Sequence, residues 1–132
     1  MDLGLKDKIA LVAGSSRGLG YATAFSLAKE GCRVAINGRD EARIKSVAEK
    51  LSKETGAQVI GLAGDVGLPD VPEKLIQQTV DAFSGLDILI TNAGGPPPGS
   101  FESHDEANWQ KGIDLSLMSH VRLIRAALPH LR

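Results

Sequence analysis

The stretch that decides the fold runs Ala13-Gly14-Ser15-Ser16-Arg17-Gly18-Leu19-Gly20. Residues 8–13 predict a buried strand, because they are apolar on both faces, as a parallel strand between helical layers must be. After the stretch, small residues recur at helical spacing as far as Glu30, so this helix should lie close to the sheet. The pattern therefore predicts a strand, a tight turn and a helix packed against that strand.

Glycines at three positions of the turn favour the binding of a phosphate group. Gly14 permits a sharp turn, Gly18 lets the backbone approach an anion, and Gly20 lets the helix pack on the strand. The helix N-terminus adds unpaired N–H groups and a partial positive charge. No Gly-Lys-Ser/Thr follows, which excludes a P-loop, and the strand does not end in the acids of a receiver domain. We predict a nucleotide-binding loop, with a merely tight turn as the alternative.

The rest of the chain repeats the alternation of strand and helix. Further strands are predicted at residues 33–37, 58–63 and 86–91, each followed by a helical pattern. Capping residues are predicted at Asp40, at Asp70 with Glu73, and at Ser103 with Glu106. Because such crossovers are right-handed, the order β-α-β-α-β-α-β-α implies an α/β fold with a doubly wound parallel sheet.

The last predicted helix has one apolar face and should stop near Pro129. The residues of that face are Ile113, Leu117, Val121, Ile124 and Leu128. The fourth strand before it, residues 87–91, is apolar on both faces, which predicts a central position in a complete sheet. Both features indicate surfaces that other parts of a larger protein, or a partner chain, should cover.

Composition excludes several classes of protein. Lys and Arg number 15 against 16 for Asp and Glu, which argues against a nucleic-acid partner. Residues 1–8 carry acids where a signal peptide is basic, and no apolar run approaches the ~18 residues of a membrane span. A single cysteine, Cys32, suits a reducing compartment, so we expect a cytoplasmic protein without a membrane partner. His104, His120 and His130 lack the spacing of a metal site.

Three motifs together resemble the short-chain dehydrogenase/reductase family. The first loop matches its T-G-x-x-x-G-x-G signature, with Ala13 in place of threonine. Asp65-Val66 follows the third strand, where the family binds adenine, and Thr91-Asn92-Ala93-Gly94 follows the fourth, close to the family's N-N-A-G. The resemblance implies a Rossmann fold, and a ribose and nicotinamide site at Asn92, Ala93 and Gly94. The alternatives are a solvated acid at Asp65 and a simple turn at residues 92–94.

The end of the second strand favours NADP over NAD. An acid there would bind the ribose 2′-hydroxyl of NAD and repel a 2′-phosphate, but the chain has Asn37-Gly38. Arg39 follows, and Arg17 lies in the glycine loop, so two guanidinium groups could bind the 2′-phosphate. Asp40 would oppose the phosphate if it turned inward, but we expect it to cap the second helix. Solvated surface arginines are the alternative.

The resemblance implies that the catalytic residues lie beyond this stretch. The family's serine, tyrosine and lysine follow the fourth helix, so we expect residues 1–132 to be the N-terminal dinucleotide-binding portion of a single Rossmann domain. Tyr21 has no lysine four residues on, and Ser116 stands where the family has an asparagine. The loop Gly94-Gly95-Pro96-Pro97-Pro98-Gly99 resembles a 3-oxoacyl-carrier-protein reductase-like subgroup. Three prolines predict a stiff, extended loop.

We therefore expect the full-length protein to be an NADP(H)-dependent oxidoreductase. Its substrate would be a small carbonyl or alcohol, with a 3-oxoacyl thioester as one candidate, and this chain alone should be inactive. A homo-oligomer, dimer or tetramer, is also implied, because the family's fourth helix packs between subunits. The alternative function is a catalytically inactive nucleotide-binding or scaffold module of the same fold.

Overall fold

The structure is a computed structural model, and it describes residues 1–95 and 98–132. Strands β1 to β4 are Ile9–Val12, Arg33–Gly38, Val59–Ala63 and Ile88–Ile90. Helices α1 to α5 are Gly18–Lys29, Glu41–Thr55, Val71–Phe83, Glu106–Ile113 and Ser119–Leu131. A 3₁₀ helix, Phe101–Ser103, precedes α4, and a π-helical segment, Asp114–Met118, joins α4 to α5. The predicted extended conformation of the proline loop falls partly on Pro96 and Pro97, which lie outside the described residues.

The strands form a parallel sheet in the order β3-β2-β1-β4, which confirms the predicted doubly wound α/β fold. Leu11 of β1 pairs with Ala35 on one side and Leu89 on the other. The chain therefore reverses its direction of winding between β1 and β4. In open sheets of this kind, ligands bind at the carboxyl ends of the strands next to this reversal.

Helices cover both faces of the sheet, so the core is divided into two layers. The first layer joins α1 and α2 to β1 and β2 through Ala24, Ile44 and Leu51. The second layer joins α3 and α5 to the opposite face through Leu75 and Leu123. β1 is buried along its whole length, which explains why every residue in it is apolar.

Of the predicted helix caps, one is confirmed and two are wrong. Asp40 caps α2 by accepting the N–H of Arg43 at 3.0 Å. Asp70 has helical backbone angles and makes no side-chain cap bond, and Pro72 in the first turn has no N–H to offer. At α4, Asp105 accepts the N–H of Asn108 at 2.8 Å.

The predicted pair Ser103 and Glu106 therefore does not cap α4. Ser103 belongs to the preceding 3₁₀ helix, where its hydroxyl donates to the carbonyl of Ser100 at 2.9 Å. The hydroxyl of Ser103 is thus already hydrogen-bonded two residues before the cap position, which Asp105 occupies. The helix starts later than the capping-box spacing predicts.

The last helical region differs from the single helix predicted for it. It is divided by the π-helical segment, and α5 continues through Pro129 to Leu131. Most of its predicted apolar face is exposed: Ile113, Leu117, Ile124 and Leu128 lie at 44%, 56%, 45% and 41%. Leu123 and Ala127 of α5 contact the core instead. Among the described residues, no helix is both long enough and apolar enough to cross a membrane.

Candidate functional site

A cavity of about 1010 Å³ opens at the carboxyl ends of the four strands, beside the reversal of winding. Its walls come from the loop after β1, the end of β2, the loops after β3 and β4, and the end of α4. The predicted cofactor residues that line it are Gly14, Ser16, Arg17, Gly18, Arg39, Asp65, Val66, Asn92, Ala93 and Gly94. The fold therefore brings together motifs that are far apart in the chain.

The glycine loop needs its glycines for two different reasons. Gly14 and Gly18 have φ values of +54° and +65°, a left-handed conformation that L-residues with a Cβ rarely adopt. Gly20 has an ordinary φ, but a Cβ there would overlap the carbonyl oxygen of Gly14 and lie 2.9 Å from the Cα of Ser15. The N-terminus of α1 thus lies directly against the turn that leaves β1.

Two asparagine side chains fix Gly14 from opposite sides. The N–H of Gly14 donates to Oδ1 of Asn37 at 3.1 Å, and its carbonyl accepts from Nδ2 of Asn92 at 2.9 Å. Nδ2 of Asn37 also donates to the carbonyls of Leu62 and Gly64, each at 3.1 Å. These bonds tie the loop to the ends of β2, β3 and β4. A polar residue ending an otherwise apolar strand was the available signal for this role of Asn37.

Three predicted cofactor residues do not line the cavity: Ser15, Leu19 and Gly20. The Ser15 hydroxyl is buried, donates to the carbonyl of Val12 at 2.6 Å and accepts the N–H of Asn37 at 2.9 Å. Leu19 is 84% exposed on the outer side of the first turn of α1, and Gly20 is buried beneath the loop. Ser15 and Gly20 stabilise the loop from inside, and they do not form the wall of the cavity.

The first turn of α1 is well suited to an anion. Arg17 occupies its N-cap position without a side-chain cap bond, and the turn contains no acidic residue. By contrast, Asp40 and Asp105 cap α2 and α4 with their carboxylates. The start of α1, where Arg17 and Gly18 line the cavity, therefore has no side-chain acceptor from its cap residue, which fits a pyrophosphate.

Three arginines line the cavity near the end of β2. Arg17 and Arg39 are the predicted pair, and Arg43, one turn into α2, is a third that sequence reasoning missed. Its position could have been inferred from the cap at Asp40, since the third residue after an N-cap returns to the same side of the helix. Asp40 also lines the cavity, but its Oδ1 accepts the backbone N–H of Arg43.

The end of β2 has no acidic side chain and little room for one at Gly38. A Cβ on Gly38 would lie 3.3 Å from both the Cβ of Ser16 and Cδ1 of Ile44. Asn37 is 1% exposed, with its amide committed to the loop and to β3. The charge facing this end of the cavity is therefore mainly positive, which fits a phosphate better than a ribose hydroxyl.

The loop after β3 and the π-helical segment lie against each other at one side of the cavity. Oδ1 of Asp65 accepts the N–H of Gly67 at 2.9 Å, and Val66 is 5% exposed and packs into the core. A Cβ on Gly67 would lie 3.5 Å from Cδ1 of Leu115, so the two elements are in contact there. The carboxylate of Asp65 and the apolar side chain of Leu115 line this side of the cavity.

The residues after β4 and those of the last helical region have different relations to the cavity. Asn92, Ala93 and Gly94 all line it, and Asn92 also bonds to the glycine loop. Ser116 is exposed and is not among the lining residues. Lys111 and Asp114 line that side instead. Among the residues that the structure describes, no three His, Cys, Asp or Glu side chains are grouped to bind a metal.

The fold and the cavity define a Rossmann unit built to bind a nucleotide at its switch point. The family model described as short chain dehydrogenase matches residues 8–132, and the chain belongs to this family. The match covers the glycine loop, the Asp65-Val66 pair and residues 91–94, whose individual roles stay predictions. The 3-oxoacyl-carrier-protein reductase-like subgroup is not singled out by this match.

Relatives of known name and structure agree with this assignment. The (2S)-[(R)-hydroxy(phenyl)methyl]succinyl-CoA dehydrogenase subunit BbsD of Thauera aromatica is 31% identical, over 98% of this chain and 52% of its own. L-Sorbose reductase of Gluconobacter frateurii, solved with NADPH and L-sorbose, superposes with a TM-score of 0.94. It is 33% identical, over 99% of this chain and 50% of its own.

A third relative was solved with the other nicotinamide cofactor. The NADH-dependent reductase A1-R′, in complex with NAD, superposes with a TM-score of 0.88 and is 33% identical. The match covers 99% of this chain and 55% of that one. The chain thus spans about half the length of the relatives it matches. The two solved relatives hold different cofactors, NADPH in one and NAD in the other.

Proposed function

We propose that residues 1–132 are the N-terminal, dinucleotide-binding portion of a single Rossmann domain in an NADP(H)-dependent oxidoreductase. The observation that carries the proposal is the glycine loop, which Asn37 and Asn92 fix at the uncapped N-terminus of α1. Solved relatives with NADPH or NAD bound support it. In such a protein the cofactor supplies or accepts a hydride, and its partner is a carbonyl or alcohol.

The residues of this chain would bind and orient the cofactor. The N–H groups at the start of α1 and the open backbone at Gly18 would hold the pyrophosphate. The part of the cavity beside Asp65 and Val66 would take the adenine, and Asn92, Ala93 and Gly94 would border the ribose and nicotinamide. Three arginines at the end of β2, with the carboxylate of Asp40 committed to a backbone N–H, favour NADP over NAD.

Arg39→Asp tests the cofactor preference. A charge-assisted hydrogen bond contributes about 1.5–3 kcal/mol, so we expect the ratio of NADPH to NADH affinity to fall at least ~10-fold. Titration of both cofactors by fluorescence or calorimetry measures this ratio. Arg125→Asp, the same reversal at an exposed residue of α5, is the matched control and should leave the ratio unchanged. An unchanged ratio in Arg39→Asp would refute the NADP assignment.

The substrate is the least constrained part of the proposal. One relative is named for a succinyl-CoA thioester and another was solved with a sugar, so a 3-oxoacyl thioester is one candidate among several. Ser116 replaces the asparagine that the family has at this position, which supports the alternative of an inactive module of this fold. We expect the 132-residue chain to turn over no carbonyl substrate, as an NADPH-absorbance assay would show.

We also propose a homo-oligomer formed through the last helical region. Four large apolar side chains of α4, the π-helical segment and α5 are exposed: Ile113, Leu117, Ile124 and Leu128. Exposed apolar faces of this kind mark protein contacts. Light scattering should show association that Leu117→Lys weakens. A monomer at all concentrations, with the wild-type sequence, would count against the proposal.

A further inference from the structure

The π-helical segment Asp114–Met118 changes the carbonyl groups to which Ser119 donates hydrogen bonds. The backbone N–H of Ser119 donates to the carbonyl of Asp114, one residue further back than in an α-helix. The carbonyl of Leu115, which that N–H would otherwise reach, accepts the hydroxyl of the same serine at 2.5 Å. Ser119 is 1% exposed, so both bonds are shielded from water.

The two residues whose carbonyls Ser119 contacts also line the cavity. Asp114 and Leu115 form part of its wall, and Leu115 lies against Gly67 of the loop after β3. The Asp114 carboxylate is held at the same place by Nη2 of Arg122 at 3.6 Å. If the wide turn became an α-turn, α4 would rotate by about 100° relative to α5, because one residue corresponds to that angle. Lys111 and Asp114 would then turn away from the cavity.

The side chain at position 116 does not hold this turn. Ser116 is exposed and takes part in none of the side-chain hydrogen bonds of the described residues, whereas Ser119 is buried and bonded. We propose that Ser119 is a positioning residue. Its hydroxyl holds the π-helical turn that places Asp114 and Leu115 in the cavity wall. This inference rests on the proposed function, since it takes the cavity to be the dinucleotide site.

The test compares two deletions of the same kind of hydrogen bond. Ser119→Ala removes the bond to Leu115 at the π-helical turn. Thr79→Val removes the bond from the fully buried Thr79 hydroxyl to the carbonyl of Leu75, four residues back in the regular helix α3. Both variants should lose stability, but only Ser119→Ala should weaken NADPH binding, by about fivefold for one hydrogen bond. Titration calorimetry and thermal unfolding separate the two effects.

Backbone NMR of the free, 132-residue chain gives a second measurement that needs no cofactor. Ser119→Ala should move the Cα and amide resonances of residues 111–118, and Thr79→Val should not. If the wild-type chain binds NADPH and Ser119→Ala binds it equally well, the inference is wrong. If the wild-type chain binds neither NADPH nor NADH, the proposed function fails, and unchanged resonances would separately overturn the role of Ser119.

Arg122→Gln keeps the test decisive if Ser119→Ala does not fold. It removes one partner of the Asp114 carboxylate, leaving the bond from Nε2 of Gln110 at 3.3 Å and the Ser119 hydroxyl untouched. We expect about a twofold loss of NADPH affinity, typical of a partly exposed ion pair, together with resonance changes confined to the same turn. Unaltered affinity and unaltered resonances in this variant would contradict the positioning of the wall by this group of side chains.

Discussion

The glycine loop after β1 and the helical region after β4 line the same cavity but keep their shapes by different means. The loop is fixed by missing Cβ atoms and by side-chain hydrogen bonds to the ends of three strands. The helical region is fixed by a side-chain hydroxyl and a partly exposed ion pair, and α4 has no buried residue. One wall is therefore held by contacts from distant parts of the chain, and the other by contacts within a few turns of helix.

The same contrast holds for burial along α5. Leu123 is 1% exposed within the core, and the next residue, Ile124, lies about 100° further round the helix and is 45% exposed. On the loop side of the molecule, β1 is entirely buried. The helical region thus has apolar side chains that the described residues leave uncovered.

The largest effect is expected from truncating neighbouring residues of α5. Leu123→Ala should lower the free energy of unfolding by about 3 kcal/mol, since it leaves a cavity between α3, α5 and the sheet. Ile124→Ala should change it by less than about 0.5 kcal/mol in the monomer, because its side chain already meets water. Urea unfolding at low protein concentration measures both. Equal losses would mean that the exposed face is covered in solution.

A smaller effect is expected in the glycine loop. Gly20→Ala should lower the free energy of unfolding by about 2 kcal/mol, because the new Cβ would overlap the Gly14 carbonyl. It should also abolish cofactor binding by moving the first turn of α1. Gly56→Ala is the control: Gly56 has φ +75° but open space around it, so only about 1 kcal/mol should be lost. Retained binding in Gly20→Ala would show that the loop is more compliant than its contacts indicate.

The smallest effect concerns the buried thiol beside β2. Burial raises the pKa of Cys32 above its ordinary value of 9.0, and the negative charges of Glu30 and Asp87 raise it further. Since the folded pKa exceeds the unfolded one, this contribution is complete below about pH 9 and is lost as the pH rises through the folded pKa. The free energy of unfolding of the wild type should therefore fall more between pH 8 and pH 10.5 than that of Cys32→Ala. Chemical denaturation at each pH measures both free energies. Parallel losses would remove the thiol as the cause.

Local patterns predicted the glycine-loop side well, and for physical reasons. The apolar strand before Gly14, the small residues at Gly20 and Ala24, and the cap at Asp40 each depend on neighbours close in the sequence. Asn37 and Arg43 were missed as site residues because their roles depend on partners brought near only by the sheet and by α2. The elements could be predicted from spacing, but the contacts between their ends could not.

The helical region was less predictable, because several residues there could each cap a helix or face the core, and local sequence does not distinguish between them. Asp70 fails as a cap since Pro72 removes an N–H, and Ser103 fails since a 3₁₀ turn comes first. Several apolar residues face each side of α5, so periodicity alone does not say which side meets the core. The π-helical turn has no signal in residue type, since a serine such as Ser119 fits an α-helix equally well.

The bond from Asn92 to Gly14 also makes cofactor affinity a measure of how well the sheet edge is held. Asn92 follows the short edge strand β4, and Nδ2 reaches the Gly14 carbonyl 78 positions earlier in the chain. Anything that steadies β4, whether another strand or a second chain, therefore also steadies the phosphate loop. By thermodynamic linkage the reverse holds, so a bound dinucleotide strengthens whatever completes the sheet by the same factor. Cofactor binding and completion of the sheet are thus thermodynamically coupled.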